Sequence, residues 1–341
     1  MSLPPSGEIP QGAIRFNTDS QKLEFYAQGE WWVMSTDTPN LGRGVDSQLG
    51  TRGIIMGGSP TTHGDNIDYV NISSTGDAQE FGDLTHNTKY PGGFSSATRG
   101  VIGGGETTGV YHQFIRFVTI SSTGDTLGFG DLGQGRTYIG GCSSATRGIF
   151  AGGKNPSQAK ISDIEYVTIA HEGHAVDFGV LSKARGVPGG LSSKTRGVFG
   201  GGYSPTIWTD MEFVTIATTG SVQDFGELRK GGLFSSNQAS NPTRGLFFGG
   251  SPSNTANIDL ITIATTGNAI YFGDMTVTKA YRNTMSSPTR AVAAGGQTPG
   301  DGTVVIDYVE FATQGKAVDF GDLETDQHLS GASCSNAHGG L

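Results

Sequence analysis

The string Thr-Arg-Gly recurs along the chain with its arginine at Arg52, Arg99, Arg147, Arg196 and Arg244, and Thr-Arg-Ala places a sixth at Arg290. The intervals of 47, 48, 49, 48 and 46 residues define a repeat that few folds accommodate. Each arginine precedes an apolar run ending in a glycine pair, from Gly57-Gly58 to Gly295-Gly296. Later in every repeat comes a Phe-Gly pair, with phenylalanines Phe81, Phe129, Phe178, Phe225, Phe272 and Phe320. A repeat of this length cannot bury its apolar face alone, so its neighbours must stack on it. Six of them predict an all-β, six-bladed propeller with four strands per blade.

Composition removes the rivals. With 56 glycines in 341 residues, long helices are excluded, since each interior glycine costs a helix about 1 kcal/mol. There is no Gly-X-Y period for a collagen. No apolar run reaches the roughly 20 residues of a spanning helix, so membrane insertion is not expected. The net charge is −9 and no basic stripe is present, which argues against a nucleic-acid partner. Residues 1–5 lack the basic and apolar regions of a signal peptide, so synthesis in the cytoplasm is expected. Cys142 and Cys334 read as small buried residues, not a disulfide framework.

Within a repeat the first strand is a small-residue run such as residues 92–96, and the second follows the arginine, as in residues 101–105. The third and fourth form a hairpin, such as residues 259–263 and 269–274. A two-residue loop at Thr75-Gly76 would set Val70 opposite Phe81 and lay Tyr69 over Gly82, with equivalents in the other repeats. In the fifth, Leu260 would stand over Gly273. That register also opposes acids: Asp68–Asp83, Glu212–Glu227, Asp259–Asp274 and Asp307–Asp322. It sets Arg116 against Asp131 and Glu165 against Val180. These carboxylates are expected to accept N–H bonds from adjoining loops, with cation binding or contact with a basic partner as the alternatives. The six arginines start their strands at the opposite end of the blade. They are expected to bond carbonyls or loops between blades.

The first repeat offers only residues 45–49 as a first strand, whereas residues 331–336 match residues 93–98. The C-terminal segment is therefore expected to supply that strand and close the ring, removing open sheet edges.

The one catalytic-looking string, His171-Glu172-Gly173-His174, spaces its histidines three apart where a zinc helix needs four. It also falls where other repeats have a hairpin tip, so it reads as a turn. The glycine runs lack the lysine of a phosphate loop, and no nucleophile elbow is present. No catalytic residue, cofactor or metal is assigned, and an enzyme is not expected. Loops on one side of the repeats are uniform, while residues 60–66, 107–113, 154–162 and 203–210 vary. Exposed variable loops are where binding resides. Tyr111, His112, Tyr203 and Trp208 are the contact candidates, with packing over a blade edge as the alternative for Trp208.

Residues 1–40 break from residues 41–341. They read as a β-hairpin with a third strand, and Phe16, Phe25, Trp31 and Trp32 exceed what three short strands can cover. An attachment module is expected; the alternative is a hairpin packed on the propeller's own rim.

The Arg-Gly and Gly-Gly repeats resemble kelch-type propeller repeats, without their usual late tryptophan. With strings such as Val-Thr-Ile-Ala-Thr-Thr-Gly at 214–220 and Asp-Phe-Gly at 224–226, residues 42–341 are similar to propeller-repeat proteins of marine tailed phages, cyanophages in particular. Residues 12–26 resemble a short β module near the N-termini of phage fibres. The resemblance implies a non-enzymatic virion structural protein: a tail fibre, appendage or decoration protein. It would display loops toward a host-surface glycan or protein and attach to other virion proteins through its N-terminal module, as a homo-oligomer or in many copies. A virion assembly or adaptor component and a cellular carbohydrate-active propeller enzyme are the alternatives.

Overall fold

The computed structural model describes residues 9–17, 22–33, 51–58, 64–232, 238–250, 256–298, 302–324 and 330–341, and these contain strands and turns with no helix. The chain divides into two compact units, Met1–Ser47 and Gln48–Leu341.

In the first unit, Ile14–Asn17, Lys22–Ala27 and Glu30–Val33 form a three-stranded antiparallel sheet. Its register sets Ile14 opposite Phe25 and Phe25 opposite Trp32. Alternation along the strands therefore gathers Ile14, Phe16, Phe25 and Trp32 on one face. Ile14, Phe16 and Trp32 are exposed. Trp31 lies outside this group, on the other side of the sheet. It pairs with Tyr26 on the opposite face, where the Arg15 guanidinium sits 4.1 Å above its ring and Arg15 binds Glu24 at 2.7 Å.

The second unit holds six four-stranded antiparallel sheets, one per repeat. In the second repeat the strands are Gly92–Ser95, Arg99–Gly103, Phe114–Thr119 and Leu127–Asp131. The sheet of the first repeat takes its first strand, at one edge, from the other end of the chain: Ala332–Ser335 pairs with Arg52–Met56, setting Ser335 opposite Gly53. The earlier candidate for that strand, residues 45–49, lies outside the described residues. Cys142 and Cys334 are buried free thiols, as expected.

The hairpin register differs from the sequence reading in all six sheets. Gly82 stands opposite Ile67, and Tyr69 stands opposite Gln79, with a bulge between. The expected pairs Val70–Phe81 and Tyr69–Gly82 are thus replaced, and Gly273 faces Ile258 in place of Leu260. The connection is longer than two residues, running from Asn71 to Gln79. Its polar groups are spent on a neighbour: Gly124 N–H donates to the Phe81 carbonyl at 2.7 Å, Gly173 to Phe129 at 2.8 Å, and Gly76 to Phe320 at 2.8 Å. Hydrogen bonds to the adjacent sheet thus replace those that would close a tight turn.

This contact explains why glycine recurs after each phenylalanine. A Cβ on Gly130 would lie 2.1 Å from the Gly173 carbonyl oxygen, and one on Gly321 would lie 2.5 Å from that of Gly76. The glycine makes room for the neighbouring loop, and the aromatic ring lies elsewhere. Tyr69 meets Phe81 edge-on at 6.1 Å.

The arginines behave as their position predicted. Arg147 donates to the Ile216 carbonyl at 2.8 Å, Arg52 to Ile120 at 2.9 Å, Arg99 to Ile169 at 3.1 Å and Arg196 to Ala264 at 2.8 Å. Arg244 donates to Phe311, and Arg290 reaches Ser73 of the first repeat at 2.9 Å. Each guanidinium also covers a ring of its own sheet where one exists, as Arg147 covers Tyr166 at 4.2 Å.

Apolar packing follows the same order. Each of six buried clusters combines residues of two repeats. One of them joins Met285, Val292 and Phe320 of the last repeat to Ile55, Val70 and Ile72 of the first. The first strands of the six sheets are linked by serine hydroxyls. Ser143 donates to the Ser95 carbonyl, Ser192 to Ser143, Ser240 to Ser192, Ser286 to Ser240, Ser335 to Ser286 and Ser95 to Ser335, at 2.5–2.8 Å. Beside these serines lies a cavity of about 30 Å³ that His338 helps to line, room for about one water.

Candidate binding face

The variable loops are welded to the connections between repeats. Lys89 pairs with Glu106, Thr137 with Lys154, Gly186 with Tyr203 and Ala280 with Gln297 through backbone bridges. Each bridge joins the connection leaving one sheet to the loop between the second and third strands of the next. Loop and connection therefore form one surface, held by paired backbone and not by side chains alone.

The second glycine of the pairs at 104–105, 152–153, 201–202 and 295–296 permits this approach. Gly153 has φ +114°, and a Cβ there would lie 2.8 Å from the Thr137 carbonyl. Beneath the surface run charge pairs that sequence spacing did not reveal. Glu165 binds Arg136 at 2.6 Å, Glu212 binds Arg185 at 3.2 Å, Asp259 binds Arg229 at 3.4 Å and Asp307 binds Lys279 at 3.1 Å. Burial holds the Arg136 and Arg185 guanidiniums below their usual pKa and brings Lys279 down to about 8. The carboxylates oppose this, because an adjacent negative charge favours the cationic form.

The expected acid–acid pairs are corrected by the bulge. Asp83, Asp274 and Asp322 face Asn66, Asn257 and Val305, while Glu227 faces Asp210. Asp131 faces Phe114, not Arg116, and Val180 faces Asp163, not Glu165. The inner acids do accept loop N–H groups, from Gly133 to Glu165 at 3.1 Å and from Arg229 to Asp259 at 3.0 Å. Among the described residues, no group of three or more His, Cys, Asp or Glu side chains is placed to hold a metal ion. The His171-Glu172-Gly173-His174 string lies at an exposed hairpin tip, with Glu172 3.7 Å from Arg99 and His174 3.5 Å from Asp131.

Of the four contact candidates, Tyr203 is exposed and the others are half-buried. Tyr111 accepts a 2.8 Å bond from the Gln158 amide, which ties it to the loop of the next repeat. His112 stacks on Phe114 at 4.6 Å and shares a 2.8 Å hydrogen bond with Thr107. Trp208 lies under Lys183 and Arg185, at 4.8 and 4.9 Å from its ring centre, and donates to Thr206. The Trp208 ring thus covers a buried arginine.

Three further aromatics went unread in the sequence. Tyr90, Tyr138 and Tyr281 have φ of +56°, +60° and +52°, and Val187 and Ser330 share the conformation at +58° and +56°. The backbone links them in series: Tyr138 N–H to Tyr90 O, Val187 to Tyr138, Tyr90 to Ser330 and Ser330 to Tyr281. Tyr90 stacks on Tyr138 at 4.1 Å and meets Tyr281 edge-on at 6.3 Å. Positive φ is costly for bulky side chains, and such strain concentrates at functional sites. The signal was present as an offset, since Tyr90, Tyr138, Val187 and Tyr281 each precede the repeat's arginine by nine residues.

No protein-family model matches the chain, and no match was found among curated proteins.

Proposed function

We propose that the second unit is a six-bladed, kelch-like β-propeller closed by its C-terminal strand, and that it works as a non-enzymatic virion structural protein presenting its variable loops to a host surface. The architectural reading is supported by six equivalent sheets, the pairing of Ala332–Ser335 with Arg52–Met56, and contacts from the sixth repeat back to the first. The functional reading rests on the bridged loop surface, which sets Tyr111, Tyr138 and Tyr203 on a repeated and rigid frame. Rigid aromatic side chains give contact area at small entropic cost. The phage-like repeats supply the virion setting.

Attachment is assigned to residues 1–40. The exposed face of Ile14, Phe16 and Trp32 needs cover, and another virion protein or a second copy supplies it. The test is immunogold labelling of tailed particles with an antibody to the chain, beside particles whose copy begins at Gly42. Label on the first and none on the second is expected, with the shortened chain folded in the lysate. Unlabelled particles in both cases overturn the virion reading. Label on both overturns the attachment assignment.

A further inference from the structure

We infer that Tyr111, Tyr138, Lys154, Lys160 and Tyr203 form a binding site for a saccharide carrying an isolated acidic group. The inference rests on the loop-face reading and names its ligand class.

The lysines are the unusual element. Lys154 and Lys160 face each other across a short loop, joined by a backbone bridge, and both are half-buried. Among the described residues neither has a carboxylate partner, although the chain carries 31 acidic residues against 22 basic ones. Elsewhere on this surface Lys89 is engaged by Glu106 at 3.5 Å. Burial and the charge of Lys154 hold the Lys160 ammonium below its usual pKa. Two cations kept together without a counter-ion in an acidic protein are poised for an anion, which would relieve their repulsion.

The rings give the rest of the chemistry. The Lys154 ammonium is 5.9 Å from the Tyr111 ring centre and 6.0 Å from that of Tyr138, and the Lys160 ammonium is 5.3 Å from that of Tyr203. A Cβ at Gly186 would lie 3.7 Å from the Lys160 stem and 3.6 Å from the Tyr138 Cβ, so the stem and that tyrosine border the same glycine. The loop is preorganised: Asn155 accepts from Ala159 N–H at 3.1 Å and its own N–H donates to the Ala159 carbonyl at 2.9 Å. Flat rings beside paired ammoniums match a pyranose, whose C–H face stacks on an aromatic while its acid group meets the cations. A single-stranded nucleic acid also uses rings and cations, but it needs a cationic track along its backbone. Two lysines in a chain of net charge −9 do not supply one.

The experiment titrates the full chain by calorimetry with a trisaccharide ending in glucuronate, its neutral glucose counterpart, sodium sulfate alone, and a ten-residue thymidine oligonucleotide. Binding of the glucuronate sugar at least tenfold tighter than the neutral one is expected. Lys154→Gln and Lys160→Gln should erase that preference, and Tyr203→Ala should weaken both sugars, with melting temperatures unchanged. Failure of the acidic sugar to bind, equal affinity for both sugars, or a preference for the oligonucleotide overturns the inference. So does sulfate binding as tightly as the sugar, because the rings would then have no part. Labelled particles whose protein ignores the acidic sugar would refute this site while leaving the virion reading intact; the converse result would do the reverse.

Discussion

Ser95 donates its hydroxyl to the carbonyl of Ser335, 240 residues further along the chain, at 2.7 Å. That bond joins the second repeat to the strand that completes the first. Five equivalent bonds return through Ser286, Ser240, Ser192 and Ser143 to Ser95. Every one of these serines is buried. Replacing Ser240 by Ala leaves the Ser192 carbonyl without its hydroxyl donor and should cost about 1–2 kcal/mol in a denaturant titration.

Removal of residues 330–341 should cost far more. It deletes a whole strand, exposes Ile54 and Met56, and breaks the serine series at Ser335. A stability loss of at least about 4 kcal/mol is expected, since several buried apolar groups lose their cover together. A shortened chain that melts with the full one would contradict this.

Glycine substitutions at the two sides of one contact should behave oppositely. A Cβ at Gly130 meets the Gly173 carbonyl oxygen at 2.1 Å, whereas one at Gly173 meets nothing within 4 Å. Gly130→Ala should destabilise by about 2–3 kcal/mol through overpacking. Gly173→Ala should change stability by less than about 0.5 kcal/mol, as open surface positions do.

Low pH should act through His338. Its Nε2 lies 3.1 Å from the Ser95 carbonyl and its Nδ1 accepts the Gly340 N–H at 3.0 Å, so the neutral ring is the one bonded. Burial lowers its pKa to about 4, with the Ser95 carbonyl opposing. The unfolded chain, with a histidine near 6.5, binds more protons between these values, so stability falls as pH drops through that window. The loss approaches about 3 kcal/mol at most, and the ring's partial exposure reduces it. His338→Gln should flatten the profile between pH 7 and 4; an unchanged slope would assign it to other groups.

Asp307 and Lys279 are both fully buried, 3.1 Å apart. Asp307→Ala strands the ammonium and should cost about 3–5 kcal/mol. Asp259→Ala, whose Arg229 partner reaches solvent, should cost less.

The contrast between these sites shows what a sequence carries. The repeats, the returning C-terminal strand and the carbonyl-bonding arginines were legible because each is a regularity of spacing. The hairpin register was not, because the bulge beside Ile67 is fixed by the neighbouring loop and not by local alternation. Partners such as Gly124 and Phe81 lie 43 residues apart and leave no short-range pattern. Lys279, Arg185 and Arg136 each precede their repeat's arginine by eleven residues. Thr88 holds that place in the second repeat, so residue type hid the series. Lys154 and Lys160 were passed over within a variable loop, where only the fold reveals that two cations face each other unpaired.

The pairing of Ser335 with Gly53 also decides how the molecule yields to force. Because the strands are antiparallel, residue 51 and residue 336 leave the ladder from the same end. Tension applied between those two points would peel Ala332–Ser335 from Arg52–Met56 one hydrogen bond at a time, where a parallel arrangement would load the whole row in shear. A body that resists heat through mutual cover of its sheets would thus open at modest load when drawn apart there. Anchorage through one end alone would spare that seam the load.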